Sequence, residues 1–273
     1  MRTATDDIRV ILFDMDGTLY QDHEFHRNYL RYLLTGTNYE NFREQAVRLA
    51  DEIMDHGAVP MNRFYRIRPI NHSVASWQEL VSLINADLVD EMPFEACYRD
   101  GLCGLQFLAD PWEVATMIAA KLGVLDQNGE PAFLQIRQEM EDKALMPNQE
   151  LREMLEKLKE RYTTVLLSNS PQTSAANFID RLGFTGAFTF NLYDACKPYR
   201  LFENLHCHPG LEHVPSSAVL SVGDHAFNEI VNVHLAGGKT IWMNPYADAP
   251  QIPCTFQVKN IPQLMQLLQD RFL

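Results

Sequence analysis

Residues 11–20 read ILFDMDGTLY, so Asp14 and Asp16 stand one methionine apart at the end of an apolar run. Like charges at that spacing repel, and a solvated turn needs neither. A cation or a reaction gives the pair a purpose. Three later segments end in polar groups of matching chemistry: TTVLLSNS supplies Ser168 and Asn169, CKPY supplies Lys197, and AVLSVGD supplies Asp224. Paired carboxylates with free oxygens suit Mg²⁺, which keeps waters and a substrate phosphate in its shell. A carboxylate nucleophile needs a cation to screen it from an approaching phosphate. A second carboxyl two residues on can give a proton to the leaving oxygen and later take one from water. A lysine and a hydroxyl stabilise the equatorial oxygens of the phosphoryl group. The set therefore implies phosphoryl transfer, with Asp14 attacking and Asp16 handling protons. Each piece alone has a plain reading: an Asx-type turn for DMDGT, a helix N-cap for Ser168-Asn169, a solvated lysine for Lys197. Their order and placement carry the inference.

These groups meet only if their elements lie side by side. Residues 8–13, IRVILF, are apolar without alternation, as in a strand buried on both faces of a parallel sheet. After Pro147 strands and helices alternate: strands over TTVLLSNS, AFTFNLY, SAVLSVGD, KTIWMN and TFQV, helices between them, and a terminal helix IPQLMQLLQDRF. Alternation of this kind predicts right-handed crossovers and an α/β fold with a doubly wound parallel sheet, which binds ligands beyond the carboxyl ends of its strands. The block between is almost wholly helical in pattern: two segments within 22–57 broken near TGTN, then 76–90, 110–123 with Pro111 in the first turn, and 131–142. AVPMNRFYRIRPINHS, with two prolines and no clean period, reads as a loop. The layout is a core of residues 1–20 and 146–273 with a mainly helical domain, 21–145, inserted after the first strand.

Charge narrows the partners. With 23 Lys+Arg against 36 Asp+Glu the formal net charge is −13, which argues against nucleic acid or an anionic membrane. A phosphorylated substrate would be repelled too, unless a metal or a local lysine reverses the field. Five scattered cysteines without a CxxC spacing read as reduced thiols, MRTATDD shows no apolar signal region, and no apolar run would span a bilayer. The expected location is cytoplasmic.

In this order, FDMDGTLY, LLSNS, KP and SVGDHAFNEI resemble the four motifs of the haloacid dehalogenase (HAD) superfamily, over residues 8–20 and 146–245. The resemblance implies a Rossmann-like core with Asp14 as nucleophile and Asp16 as general acid/base, lending a metal its backbone carbonyl. It further implies Ser168 on phosphate with Asn169 beside it, Lys197 joining nucleophile and phosphate, and Asp224 on Mg²⁺. The inserted block matches the family's cap. Where the fourth motif usually carries a second aspartate, this chain has Glu229, which would reach the metal through water. The implied activity is a Mg²⁺-dependent phosphatase acting on a small phosphorylated metabolite. A phosphomutase shares the first half of that mechanism, and Tyr20 after DGTL is similar to pyrimidine 5′-nucleotidases. A true dehalogenase needs no proton-handling aspartate at position 16, and a non-catalytic binding protein needs none of the four motifs.

Other candidates remain. NRFYRIRPINH places Arg63, Arg66 and Arg68 in an acidic chain, where they could hold a substrate carboxylate, second phosphate or base edge, or simply pair with the acidic surface. His225, next to Asp224, could serve substrate or structure. His206, His208 and His213 have the look of a metal cluster but lack zinc-type spacing, so a surface loop is the simpler reading.

Overall fold

The computed structural model describes residues 7–22, 24–70, 72, 74–143, 146–246 and 251–273. The strands among them are β1 (Val10–Phe13), β2 (Arg63–Arg66), β3 (Leu105–Leu108), β4 (Thr163–Leu167), β5 (Phe190–Leu192), β6 (Val219–Gly223), β7 (Lys239–Met243) and β8 (Phe256–Val258). The chain divides into two compact units, one of Met1–Gln21, Lys143–Pro245 and Ile252–Leu273, the other of Asp22–Asp142 and Tyr246–Gln251. The domain boundary expected at 145 falls on residues 144–145, which lie outside the described residues, as do the first six residues of the chain.

In the first unit six strands form one sheet, all parallel, in the order β5-β4-β1-β6-β7-β8. β1 lies inside it because all four of its residues are apolar and both its faces need cover. Val10 and Leu12 point into a cluster with Val165, Leu167, Val219, Leu201 and Leu205, each buried side chain contributing roughly 2 kcal/mol. Phe13, two residues from Ile11 on the opposite face, meets Phe188 with ring centroids 5.8 Å apart. Register then sets the functional rim. Phe13 pairs with Leu166 on β4 and with Val222 on β6, so Asp14 stands level with Leu167 and Gly223, one residue short of Ser168 and Asp224.

The second unit is mainly helical, with helices Phe25–Leu34, Arg43–His56, Trp77–Asn85, Phe94–Asp100, Pro111–Lys121 and Leu125–Asp142. Pro111 opens its helix behind the N-cap Asp110, whose carboxylate accepts from Glu113 N–H at 2.8 Å. The helix read from residue 131 starts at Leu125 and runs through Pro131, which forfeits one ladder bond. The stretch read as a loop is corrected in part: Arg63–Arg66 is a strand, paired antiparallel with Leu105–Leu108. Its apolar side chains pack at β-ribbon spacing, since Phe64 meets Phe107 at 4.8 Å and Phe94 at 5.2 Å, while arginines at both ends hide the pattern. Among the described residues no helix is long and apolar enough to cross a membrane.

Lys121 is buried at 1 % exposure and binds the Asp87 carboxylate, and its ammonium also donates to the Arg66 carbonyl at 3.3 Å. It ties the end of β2 to the turn after Trp77–Asn85. Breaking a buried pair strands one charge, whereas replacing both partners does not. Lys121→Met should cost about 3 kcal/mol in urea unfolding, and Lys121→Met with Asp87→Leu should recover most of it. A double variant no more stable than the single one would show that the loss comes from the missing pair itself and not from a stranded carboxylate.

Candidate active site

Four connections at the carboxyl ends of the sheet supply the site. Asp14 follows β1 directly and is anchored by its N–H to the Val222 carbonyl at 2.9 Å. Lys197 reaches in from the segment after β5: its ammonium donates to Asp14 Oδ1 at 2.6 Å and to Glu229 Oε1 at 2.8 Å. All three are buried. The second Glu229 oxygen accepts from the His225 N–H at 3.1 Å. Asp224 completes the group, for oxygens of Asp14, Asp224 and Glu229 lie within 4.8 Å of one another. Three carboxylate oxygens at that separation suit a hard divalent cation.

Close packing makes this possible. Glu229 sits in a π-helical turn, Ala226–Ile230, begun by His225, whose Nδ1 accepts from the Asn228 N–H at 3.2 Å. A Cβ on Gly223 would collide with the Glu229 carboxylate, and one on Gly17, where φ is +75°, with that of Asp224. The Trp242 indole donates to the Asp224 carbonyl at 2.9 Å and fixes the end of β6.

Burial pushes the Asp14 carboxyl up to about 7, and the negative charge of Glu229 adds to the effect against the opposing pull of Lys197. At Lys197 burial favours the neutral amine, but Asp14 and Glu229 outweigh it and hold the pKa above the ordinary lysine value. The lysine therefore stays charged.

Asp16 is held differently. The Tyr20 hydroxyl donates to its Oδ1 at 2.5 Å and the Ser170 hydroxyl to its Oδ2 at 3.1 Å. Ser168 is buried, and its hydroxyl accepts from the Ser170 N–H at 3.1 Å. Asn169, expected beside it on phosphate, spends its amide on Lys197, accepting from that residue's N–H at 2.7 Å and donating to its carbonyl at 3.2 Å. His225 is a helix cap within the cluster. Arg63, Arg66 and Arg68 belong to the second unit, where Arg68 pairs with the buried Asp87 at 3.6 Å. His206 and His208 face carbonyls of Val214 and Pro209 and, with His213, form no ligand cluster among the described residues. Ser170, Gly17 and Gly223 escaped the sequence reading. Only the repeated hydroxyl of SNS and the glycines beside each aspartate hint at them.

Residues 8–205 match the family model of haloacid dehalogenase-like hydrolases. Among solved structures, the HAD-hydrolase YfnB from Bacillus subtilis, bound to magnesium, is 17 % identical with a TM-score of 0.55, covering 96 % of this chain and 98 % of its own. A 2-haloacid dehalogenase from Pseudomonas syringae is 20 % identical with a TM-score of 0.47, over 96 % and 99 % of the two chains. A HAD phosphatase from Thermococcus onnurineus is 15 % identical with a TM-score of 0.44, over 97 % and 100 %. At such identities the likeness speaks for the fold alone. No curated protein matches the sequence.

A folded-state pKa near 7, against the ordinary 3.8, means that the native protein binds a proton that the unfolded chain releases in that interval. Stability carried by Asp14 is thus full below about pH 4 and is lost as pH rises toward 7. In metal-free buffer Asp14→Asn should be more stable than the parent by at least about 1 kcal/mol at pH 8, and the gap should close toward pH 4. Melting curves across that range check the sign, and a gap that widens on acidification would contradict the burial argument.

Proposed function

Because the chain belongs to the haloacid dehalogenase-like hydrolases, we propose that it is a divalent-metal-dependent phosphatase that hydrolyses a small phosphorylated metabolite through an aspartyl-phosphate. The observation that supports this reading over halide displacement is Asp16, a second carboxylate two residues after the proposed nucleophile and held by two hydroxyls. Dehalogenation has no leaving alkoxide to protonate. Phosphate ester hydrolysis does.

In this reading a carboxylate oxygen of Asp14 attacks phosphorus and the ester P–O bond breaks. Asp16 delivers its proton to the departing oxygen, then takes one from the water that attacks the phosphorylated Asp14 and frees phosphate. Lys197, fixed by Asn169 and Glu229, holds the Asp14 oxygen and meets a phosphoryl oxygen as charge develops there. Ser168 binds the phosphoryl group from the end of β4. Mg²⁺, held by Asp14, Asp224 and the Asp16 main-chain carbonyl, with Glu229 behind them, would screen the carboxylates from the incoming phosphate. In this reading Glu229 acts through water, its two oxygens steadying the Lys197 ammonium and the His225 N–H.

Asp14→Asn should remove p-nitrophenyl phosphate hydrolysis while the protein stays folded, since an amide does not attack phosphorus. Turnover at the parent rate would eliminate Asp14 as nucleophile. Activity should vanish with EDTA and return with Mg²⁺. In a Mg²⁺ titration Asp224→Asn should weaken affinity more than Glu229→Gln does, and the reverse order would place Glu229 directly on the metal.

A further inference from the structure

We propose that Tyr20 and Ser170 are positioning residues that aim the Asp16 carboxylate at the leaving oxygen, so that catalysis depends on them in proportion to how poor the leaving group is. The inference rests on the phosphatase reading above. A carboxylate turns easily about its bond to Cβ, because that torsion has broad wells. With a hydroxyl donating to each oxygen, Tyr20 at 2.5 Å and Ser170 at 3.1 Å, the Asp16 carboxylate plane is fixed from two sides. A carboxylate offers about four lone-pair directions, so two donors orient it without exhausting its capacity to accept.

The donors are themselves held. Tyr20 is four residues beyond Asp16, and the turn between them is closed by the Leu19 N–H on the Met15 carbonyl at 2.9 Å and by a β-bridge between Asp16 and Tyr20. That turn brings the phenol back over the carboxylate. Its ring stacks on buried Phe178, with centroids 5.5 Å apart and planes at 28°. Ser170 is pinned at both sides of its peptide, its N–H on Ser168 Oγ and its carbonyl under the Asp194 N–H, each at 3.1 Å. Asp16 is thus oriented by the loop after β1 and the loop after β4 together.

The chemistry of the donors is informative. Asp14 and Glu229 are held by an ammonium, while the two oxygens of Asp16 each accept from a neutral hydroxyl. A residue whose only task was to lend its main-chain carbonyl to a cation would have no use for a donor on each side-chain oxygen. A residue that must present one oxygen along a set line to a departing alkoxide does, since general acid catalysis requires the acid within hydrogen-bond reach of the atom it protonates.

The experiment compares kcat/KM on p-nitrophenyl phosphate and phenyl phosphate in the presence of Mg²⁺. The two esters are alike in shape, but p-nitrophenolate leaves readily as an anion and phenolate needs a proton. The ratio kcat/KM reports the first transfer to Asp14, before the water step common to both esters. For Tyr20→Phe and for Ser170→Ala, the loss on phenyl phosphate should exceed that on p-nitrophenyl phosphate by about tenfold. Ser170→Thr, which keeps the hydroxyl, should restore the parent's ratio between the two esters. Equal losses on both esters, in variants that melt with the parent, or no loss on either, would overturn the clamp alone. A parent that turns over neither ester with Mg²⁺ overturns the phosphatase reading and the clamp with it.

Discussion

A lysine ammonium sealed from water needs its counter-charges in fixed places, and at Lys197 those places are supplied by separate stretches of chain. Asp14 comes from the end of β1 and Glu229 from the turn after β6. Left unpaired, the buried ammonium would be heavily disfavoured. With two carboxylates against it the lysine is held charged. Much of the neighbouring structure serves this contact. The Asn169 side chain grips the Lys197 main chain, the π-helical turn brings Glu229 round, and Gly223 leaves the space its carboxylate fills.

Sheet order explains why so few residues suffice. β1 lies between β4 and β6, and Phe13 is in register with Leu166 and Val222, so the residues following the three strands stand within one residue of the same level. The same economy leaves little tolerance: Gly17 and Gly223 face carboxylates where a methyl group would not fit. Asp14 and Glu229 are buried here and are answered by one buried lysine.

The sheet and the charged part of the site were legible in the sequence for a common reason. The three central strands are apolar or nearly so, VILF, TTVLL and VLSVG, and Asp14, Ser168 and Asp224 follow them directly, so finding the strand finds the residue. Lys197 follows no strand and was legible only through the proline behind it and its place in the order of motifs. The β2–β3 ribbon was missed because four residues flanked by arginines carry too little alternation, and their partner lies some forty residues on. Asn169 was found at the strand end, but its grip on the Lys197 main chain was not legible, since a strand-end amide looks the same whatever it meets. Ser170 was invisible because a neutral hydroxyl leaves no mark in charge or periodicity. Tyr20 was noticed without its contact. Lys121 reads as one more helix lysine, and only packing shows it buried against Asp87.

The place of β1 in the chain has a consequence during synthesis. Its neighbours in the sheet begin at Thr163 and Val219, so when its four apolar residues leave the ribosome neither edge has a partner. At translation speeds of roughly 5–20 residues per second, some 150 residues of delay leave that strand waiting for about 10–30 s. The second unit, nearly all of it contiguous in residues 22–142, can fold within this interval. The first cannot start its central pairing until β4 emerges. An exposed apolar strand with open edges is what general chaperones bind and what aggregates when they are scarce. Asp14, at the end of that strand, is therefore synthesised long before the segments that come to surround it.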